Sequence, residues 1–107
     1  MSAEFILTFQ DDQWYPGNKG HLEQQIVSLS TFSRERGGAF ELASREPEPS
    51  GDDWEYDVRL FLQASDIFIE IATHPPSIEH DLSSLFAWIR QHTPIFIRDD
   101  DGEDSNW

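Results

Sequence analysis

Carboxylates are the residues of this sequence whose types and spacing could do chemistry, because they are numerous and clustered. The 107 residues include 21 Asp and Glu against 7 Lys and Arg, a net charge of −14. Paired carboxylates such as Asp11–Asp12 and Asp52–Asp53 could act as general acid and base, but a catalytic carboxylate needs a pocket that shifts its pKa, and these pairs lie in polar segments. The nucleophile-elbow, phosphate-loop, dinucleotide and zinc-protease motifs are absent from the sequence. We therefore predict no enzymatic activity and no cofactor.

Residue types that bind metals are also grouped around position 80: His74, Glu79, His80 and Asp81. Metal ligands that share a helix face stand three or four positions apart, and only Ser77 and Ser84 have that spacing from His80. Two prolines follow His74, which is typical of a turn at the end of a strand. We interpret these histidines as exposed or capping residues and predict no metal site.

The acidic segment Asp99–Asp104 has some of the composition of a calcium-binding loop. In the EF-hand, glycine stands at position six and a glutamate at position twelve. Aligning Gly102 with position six puts Ile97 at position one and position twelve beyond Trp107, so the match fails. This segment belongs to an acidic C-terminal tail, residues 99–107, which we predict to be solvated and partly disordered, with a folded contact surface as the alternative.

The charge surplus itself indicates a binding function. Residues 41–57 hold seven acidic residues against the single Arg45, and residues 99–104 hold five acidic residues and no basic one. Negative charges at this density repel one another in the compact state and lower its stability. A strongly basic partner would compensate for that cost, whereas nucleic acid and anionic membranes would be repelled.

Aromatic residues lie among these carboxylates, as in interfaces where rings supply buried area and charges supply steering. Trp14 and Tyr15 follow Asp11 and Asp12 in a predicted loop. Trp54 and Tyr56 are better explained as inward core residues of a strand. The predicted partner-binding residues are Asp11, Asp12, Trp14, Tyr15, Asp52, Asp53, Glu55, Asp57, Asp99, Asp100 and Asp101.

A row of carboxylates is predicted on one of the strands. Asp53, Glu55 and Asp57 alternate with apolar residues, so they should face solvent about 7 Å apart. That spacing is close to the spacing of phosphates in nucleic acid. The row is therefore a candidate for contact with the cleft of a nucleic-acid-binding protein.

Hydrophobic periodicity predicts the elements that position these residues. Period-two patterns predict four strands, and Ala39–Ala43 is read as a further short one. Leu22, Ile26, Leu29 and Phe32 have helical spacing, which predicts a helix from Gly20 to Arg36 that Gly37–Gly38 ends. A second helix should begin with Ser77 as its N-cap, with Glu79 and Asp81 in its first turn. The predicted ranges are strands 5–10, 39–43, 53–63, 66–73 and 95–98 and helices 20–36 and 77–92.

This order, β-α-β-β-β-α-β, predicts an α+β fold. Residues 53–63 and 66–73 should form a hairpin, and two amphipathic helices should cover one face of a mostly antiparallel sheet in a two-layer sandwich. A ferredoxin-like variant with an added strand is one possibility, and the strand order stays open. Residues 1–98 are predicted to be a single domain, because the chain is too short for two cores.

Composition bounds the class and location of the protein. Aromatic residues make up 13% of the chain, more than disordered acidic proteins contain, so a folded body is expected. There are no cysteines, which favours a reducing, intracellular location. No signal peptide or apolar segment of membrane-spanning length is apparent. We predict a cytoplasmic protein.

In size, acidity, lack of cysteine and absence of catalytic motifs, the whole chain resembles the small immunity proteins of bacterial polymorphic-toxin and contact-dependent growth inhibition systems. The resemblance implies a cognate toxin domain as the basic partner, most simply a nuclease. A nucleic-acid mimic that inhibits a host DNA-binding protein, as anti-restriction proteins do, is the alternative. A third possibility is an adaptor subunit whose acidity only keeps it soluble.

Overall fold

Six strands and two helices make up the residues that the computed structural model describes, which are 3–45, 56–105 and 107. The elements follow the chain as β1 Ala3–Phe9, α1 Trp14–Val27, β2 Phe32–Arg36, β3 Ala39–Leu42, β4 Val58–Leu62, β5 Asp66–Ile71, α2 Pro76–His92 and β6 Ile95–Asp99.

The strands form one sheet in the order β2-β3-β4-β5-β1-β6, and every neighbouring pair is antiparallel. The predicted α+β class and the predicted order of elements are confirmed, and β2 adds a sixth strand. The hairpin of β4 and β5 is also confirmed, with Leu62 opposite Ile67. The amide of Gln63 donates to the carbonyl oxygen of Asp66 at 2.9 Å and closes the turn.

The core lies between one face of the sheet and both helices. Alternate strand residues such as Leu7, Leu60 and Ile69 are at most 1% exposed and pack in one cluster with the helices. The predicted apolar stripe of α2 is confirmed, since all its members are buried: Ile78, Leu82, Leu85, Phe86 and Ile89. Neither helix in the described ranges has the length and apolar character needed to cross a membrane.

The prediction of the first helix was wrong at both ends. The helix begins at Trp14, inside the predicted loop, and ends at Val27. Residues 32–36, predicted as its last turns, form β2 instead. Gly37 and Gly38, with φ of 62° and 83°, form a two-residue turn to β3, as the type I′ hairpin requires. A helix end and this hairpin turn both favour glycine at positive φ, so the same sequence signal fits either structure.

The start of α2 also differs from the prediction. The N-cap is Pro75, and Ser77 lies in the first turn, where its Oγ accepts the amide of Arg45 at 3.1 Å. Glu79 is in the first turn as predicted. Asp81, predicted in the first turn, lies beyond it; its side chain is only 4% exposed and accepts the amide of Thr31, so it acts through specific hydrogen bonds.

Residues after β6 turn back along that strand. The amide of Asp99 donates to the carbonyl of Glu103 at 2.9 Å, and the amide of Ser105 donates to Ile97 at 2.9 Å. Gly102 has a φ of 81°, which permits the turn. Trp107 then packs edge-on against Phe86, with ring centroids 6.2 Å apart. Much of the predicted tail is thus held against the fold by backbone hydrogen bonds.

Candidate functional site

The predicted partner-binding residues fall into separate regions of the structure. Asp11, Asp12, Trp14 and Tyr15 surround the start of α1, and Asp99, Asp100 and Asp101 lie where β6 ends. Asp57 immediately precedes β4. Asp52, Asp53 and Glu55 lie outside the described residues, as does Trp54, so their roles stay predictions.

The first region presents carboxylates beside an aromatic cluster. Asp11 and Asp12 are exposed just before α1, and Asp11 Oδ1 accepts the amide of Gln13 at 3.0 Å. Carboxylates at this position are favoured by the positive end of the helix dipole. Asp11 therefore stabilises the helix start, and both carboxylates remain accessible to solvent.

The aromatic cluster next to them joins α1 to α2. Trp14 lies 6.3 Å from Trp88 and 6.0 Å from His92, measured between ring centroids. Trp88 and His92 are themselves 4.6 Å apart and stand four positions apart on α2, so they share one helix face. Trp14 and Trp88 are half-buried. Sequence reasoning did not connect these rings, because only helix packing brings them together.

Tyr15 is a core residue and does not face a partner, contrary to its predicted loop position. Its side chain is 1% exposed, stacks on Phe9 at 4.7 Å, and donates a hydrogen bond to the carbonyl of Gln63 at 2.6 Å. Burial, followed by the negative charges of Asp66 and Glu23, raises the pKa of Tyr15 to about 12. The hydroxyl thus fastens the start of α1 to the β4–β5 turn.

This shift makes a prediction for alkaline pH. An unfolded tyrosine ionises near pH 10.0 and the folded one near pH 12, so the free energy of unfolding should fall over this window. The full difference is about 2 to 3 kcal/mol. Tyr15→Phe should be about 1 kcal/mol less stable than the wild type at neutral pH, because the Gln63 carbonyl loses its donor. It should become the more stable of the two by pH 12. Urea unfolding across this range measures both curves, and parallel curves would contradict the assignment.

Asp57 was predicted to face solvent, and that prediction was wrong. It is 3% exposed, and its carboxylate accepts the amide of Ser44 at 2.6 Å and the hydroxyl of Thr73 through a short hydrogen bond. Its carbonyl accepts the amide of Ala72 at 2.7 Å. The chain bends at Asp57, so the alternation of β4 does not extend back to this residue. Asp57 therefore ties β3, β4 and β5 together at one end of the sheet.

The same bend changes the position of Tyr56, which was predicted to point into the core. Its hydroxyl lies 3.4 Å from Glu70 Oε1, and the guanidinium of Arg59 lies 4.6 Å from its ring centroid. Arg59 and Glu70 alternate with the core residues of their strands and lie on the other face of the sheet. Tyr56 therefore packs on the face that the helices do not cover.

The second acidic region is a folded turn, Asp99–Asp104, which we call the acidic turn. The Oδ1 atom of Asp99 accepts the amides of Asp101 and Glu103 at 3.0 and 2.9 Å. Asp104 Oδ1 lies 3.3 Å from Arg98 Nε, in an exposed ion pair. Three further carboxylates of the turn are exposed to solvent: Asp100, Asp101 and Glu103. The turn thus presents negative charge from a backbone that its own hydrogen bonds hold in place.

Asp99, Asp100 and Asp101 also have the geometry to approach one cation, since oxygens of all three lie within 4.8 Å of one another. Calcium and magnesium prefer such oxygen ligands. One of the Asp99 oxygens already accepts two backbone amides. Exposed carboxylates come this close in acidic chains without an ion, so this spacing alone does not make a metal site.

The two acidic regions lie at opposite ends of β1. Phe9 pairs with Ile95 near Asp11, whereas Phe5 pairs with Asp99. Four residues of strand separate the two positions by about 13 Å. The described residues stop at Arg45 and resume at Tyr56, just before β4. The first residue of β4, Val58, lies at the same end of the sheet as the acidic turn.

Basic residues are concentrated on one face of the sheet. Four of the seven Lys and Arg lie on the sheet face opposite the helices: Arg34, Arg36, Arg59 and Arg98. Arg34 Nε and Arg36 Nη2 lie 3.0 and 3.2 Å from the buried Glu41, and Arg59 Nη2 lies 2.6 Å from Glu70. Three of these cations therefore neutralise carboxylates of the same face, and the fourth, Arg98, pairs with Asp104 of the acidic turn.

A shallow groove of about 380 Å³ near the acidic turn is lined by His74, Glu79, Ser83 and Trp107. His74 Nδ1 lies 3.2 Å from Glu79 Oε1, but the two side chains are 59% and 52% exposed, so water screens the pair. The His74 ring also packs edge-on against Trp107. These contacts agree with the structural interpretation of His74.

Comparison of the chain with models of protein families, with curated proteins and with solved structures finds no match in any of the three.

Proposed function

We propose that this protein is a non-catalytic binding protein that neutralises a strongly basic protein partner, and that the acidic turn is the contact. Following the resemblance of the whole chain, the partner is a cognate toxin domain of the nuclease class and the protein acts in the cytoplasm as its immunity protein. The observation that carries the proposal is the exposure of Asp100, Asp101 and Glu103 on a hydrogen-bonded turn.

The order of the acidic turn matters for affinity. A disordered tail would lose conformational freedom on binding, whereas a turn that is already folded loses less. Its exposed carboxylates also steer the approach of a basic surface, which accelerates association at low salt. A toxin that cleaves nucleic acid needs a basic cleft for its phosphate substrate, and such a cleft is complementary to this turn.

The partner's class is tested by isolating it. The full chain, carrying an affinity tag, should capture one basic nuclease from the cells that naturally produce it, and the nuclease should lose activity in the complex. Capture of a restriction enzyme or nucleoid protein would replace the proposal with nucleic-acid mimicry. A neutral or acidic partner would overturn it.

The location of the contact is tested by charge reversal with a matched control. The triple variant Asp100→Lys, Asp101→Lys, Glu103→Lys should slow association with the captured partner at low salt by at least about tenfold, because the steering charges are reversed. The control Asp11→Lys, Asp12→Lys, Glu23→Lys changes net charge equally on exposed residues around α1. Stopped-flow association rates should change little in the control. The reverse result would place the interface at the start of α1.

A further inference from the structure

An apolar row crosses the sheet on the face that the helices leave uncovered. Phe61 pairs with Phe68, with ring centroids 5.7 Å apart, and Phe68 pairs with Ile6. Phe96 of β6 lies opposite Thr8 of β1, in the next row of the same face, and is 41% exposed. None of these four apolar residues belongs to the core cluster that includes the helices. The row spans four strands, from β4 to β6.

Charges of both signs flank this row. Arg59 pairs with Glu70 across β4 and β5, and Glu70 lies opposite Glu4 on β1. At the other edge, Arg98 lies opposite Ile6, with its guanidinium 5.1 Å from the Phe96 ring centroid. Asp66 lies opposite Thr8 on the same face, and with Arg34, Arg36 and Glu41 towards the β2 edge the face carries four basic and four acidic residues, although the chain as a whole carries −14.

This balance of charge indicates which kind of molecule could bind to the face. A strongly basic partner would meet Arg59 and Arg98, and a strongly acidic one would meet Glu4 and Glu70. A second copy of this chain brings an equal apolar row and charges of both signs. We propose that two copies associate weakly through this face, packing sheet against sheet.

A two-fold axis parallel to the strands and over β5 brings the two apolar rows together, with Phe68 and Glu70 each beside its counterpart in the second copy. It lays β4 of each copy over β1 of the other, so Arg59 approaches Glu4 of the second copy. It also lays β6 over β3, so five strands of four to seven residues overlap, over about 20 Å by 25 Å. That area is below the roughly 800 Å² per partner of standard stable interfaces, so the dimer should dissociate on dilution.

Salt should affect this association in a characteristic direction. Two copies of net charge −14 repel each other, and the apolar row is insensitive to screening. Raising salt should therefore strengthen the dimer, whereas binding of a basic partner should weaken with salt. The two interactions are thus distinguishable, and either one can fail without affecting the other.

Sedimentation velocity of the full chain over a wide concentration range tests the proposal at about 0.1 M and about 1 M NaCl. The wild type should dimerise more strongly at the higher salt. Phe96→Ser should raise the dissociation constant at least about tenfold, as loss of an interface aromatic does. The control Val27→Ser alters the other large apolar residue that is exposed within the described ranges, at 45% on α1, and should match the wild type.

Three results would overturn the proposal. The wild type would remain monomeric at the highest concentration in both salts, or its association would weaken as salt rises. Alternatively, Phe96→Ser and Val27→Ser would change the dissociation constant equally. Both substituted side chains are solvent-exposed, so circular dichroism should show both variants folded.

Discussion

Asp57→Ala should lower the free energy of unfolding by about 3 kcal/mol, because it removes a buried carboxylate that accepts two hydrogen bonds. The amide of Ser44 and the hydroxyl of Thr73 would lose their acceptor, and the three strands that meet there would lose their connection. Asp57→Lys should be more damaging still, because it leaves a cation in a site that is 3% exposed. Urea unfolding monitored by tryptophan fluorescence measures both changes.

The matched control for Asp57 is Asp12→Ala, which removes the same charge from an exposed position. In a chain of net charge −14, this loss should leave stability unchanged or raise it slightly. Equal destabilisation by the two variants would mean that net charge governs the effect. Near-neutral behaviour of Asp57→Ala would show that its hydrogen bonds contribute little.

Asp81→Ala should also destabilise the fold by about 3 kcal/mol, through a different part of the structure. Asp81 Oδ2 accepts the amide of Thr31 at 2.8 Å, the Thr31 hydroxyl at 2.7 Å and the Ser30 hydroxyl at 3.0 Å. Thr31 is 2% exposed, so its donors cannot turn to water. These bonds attach α2 to the connection between α1 and β2.

Hydrogen exchange separates this local role from a general loss of stability. In Asp81→Ala the amide of Thr31 should exchange faster than the global unfolding rate allows, because its acceptor is gone. Glu79→Ala is the control, since it removes a carboxylate two positions away on α2 that is 52% exposed. It should cost no more than about 0.5 kcal/mol and leave Thr31 protected. Unchanged protection of Thr31 in Asp81→Ala would contradict its assigned role.

The elements that were predicted well are those with a long, uninterrupted hydrophobic period. Five apolar residues on one helix face defined α2, and aliphatic residues at every second position of both strands defined the β4–β5 hairpin. In both cases the residues that a pattern needs are close in sequence, so local reading is sufficient.

The start of α1 was missed because its first two turns contain Pro16, Gly17 and Gly20, which favour a loop when read alone. Packing overrides that preference. Trp14 contacts Phe9 and Trp88, and Tyr15 is buried, so tertiary contacts hold the first turn in place. Trp14 and Tyr15 were both predicted to lie in a loop. In the helix their environments differ, since Tyr15 is buried and Trp14 is half-buried.

The carboxylates likewise differ in burial, which their sequence positions do not reveal. Composition assigns acidic residues to the surface, yet Glu41, Asp57 and Asp81 are at most 4% exposed. Each has donors from segments distant in the chain or from a neighbouring strand, which no local pattern reveals. The acidic turn was identified from sequence by its charge, but its backbone order was not.

The sequence by itself determined the α+β class, the order of elements and the surplus of negative charge, because periodicity and composition are local or additive properties. Only the tertiary structure decided which carboxylates are buried, that the two described acidic regions lie at opposite ends of β1, and that four of the seven cations share the sheet face opposite the helices. These features follow from the strand order β2-β3-β4-β5-β1-β6, which places β5 beside β1 and β1 beside β6. Such pairings join residues 58 to 94 positions apart, and the burial and hydrogen bonding of each charge depend on them.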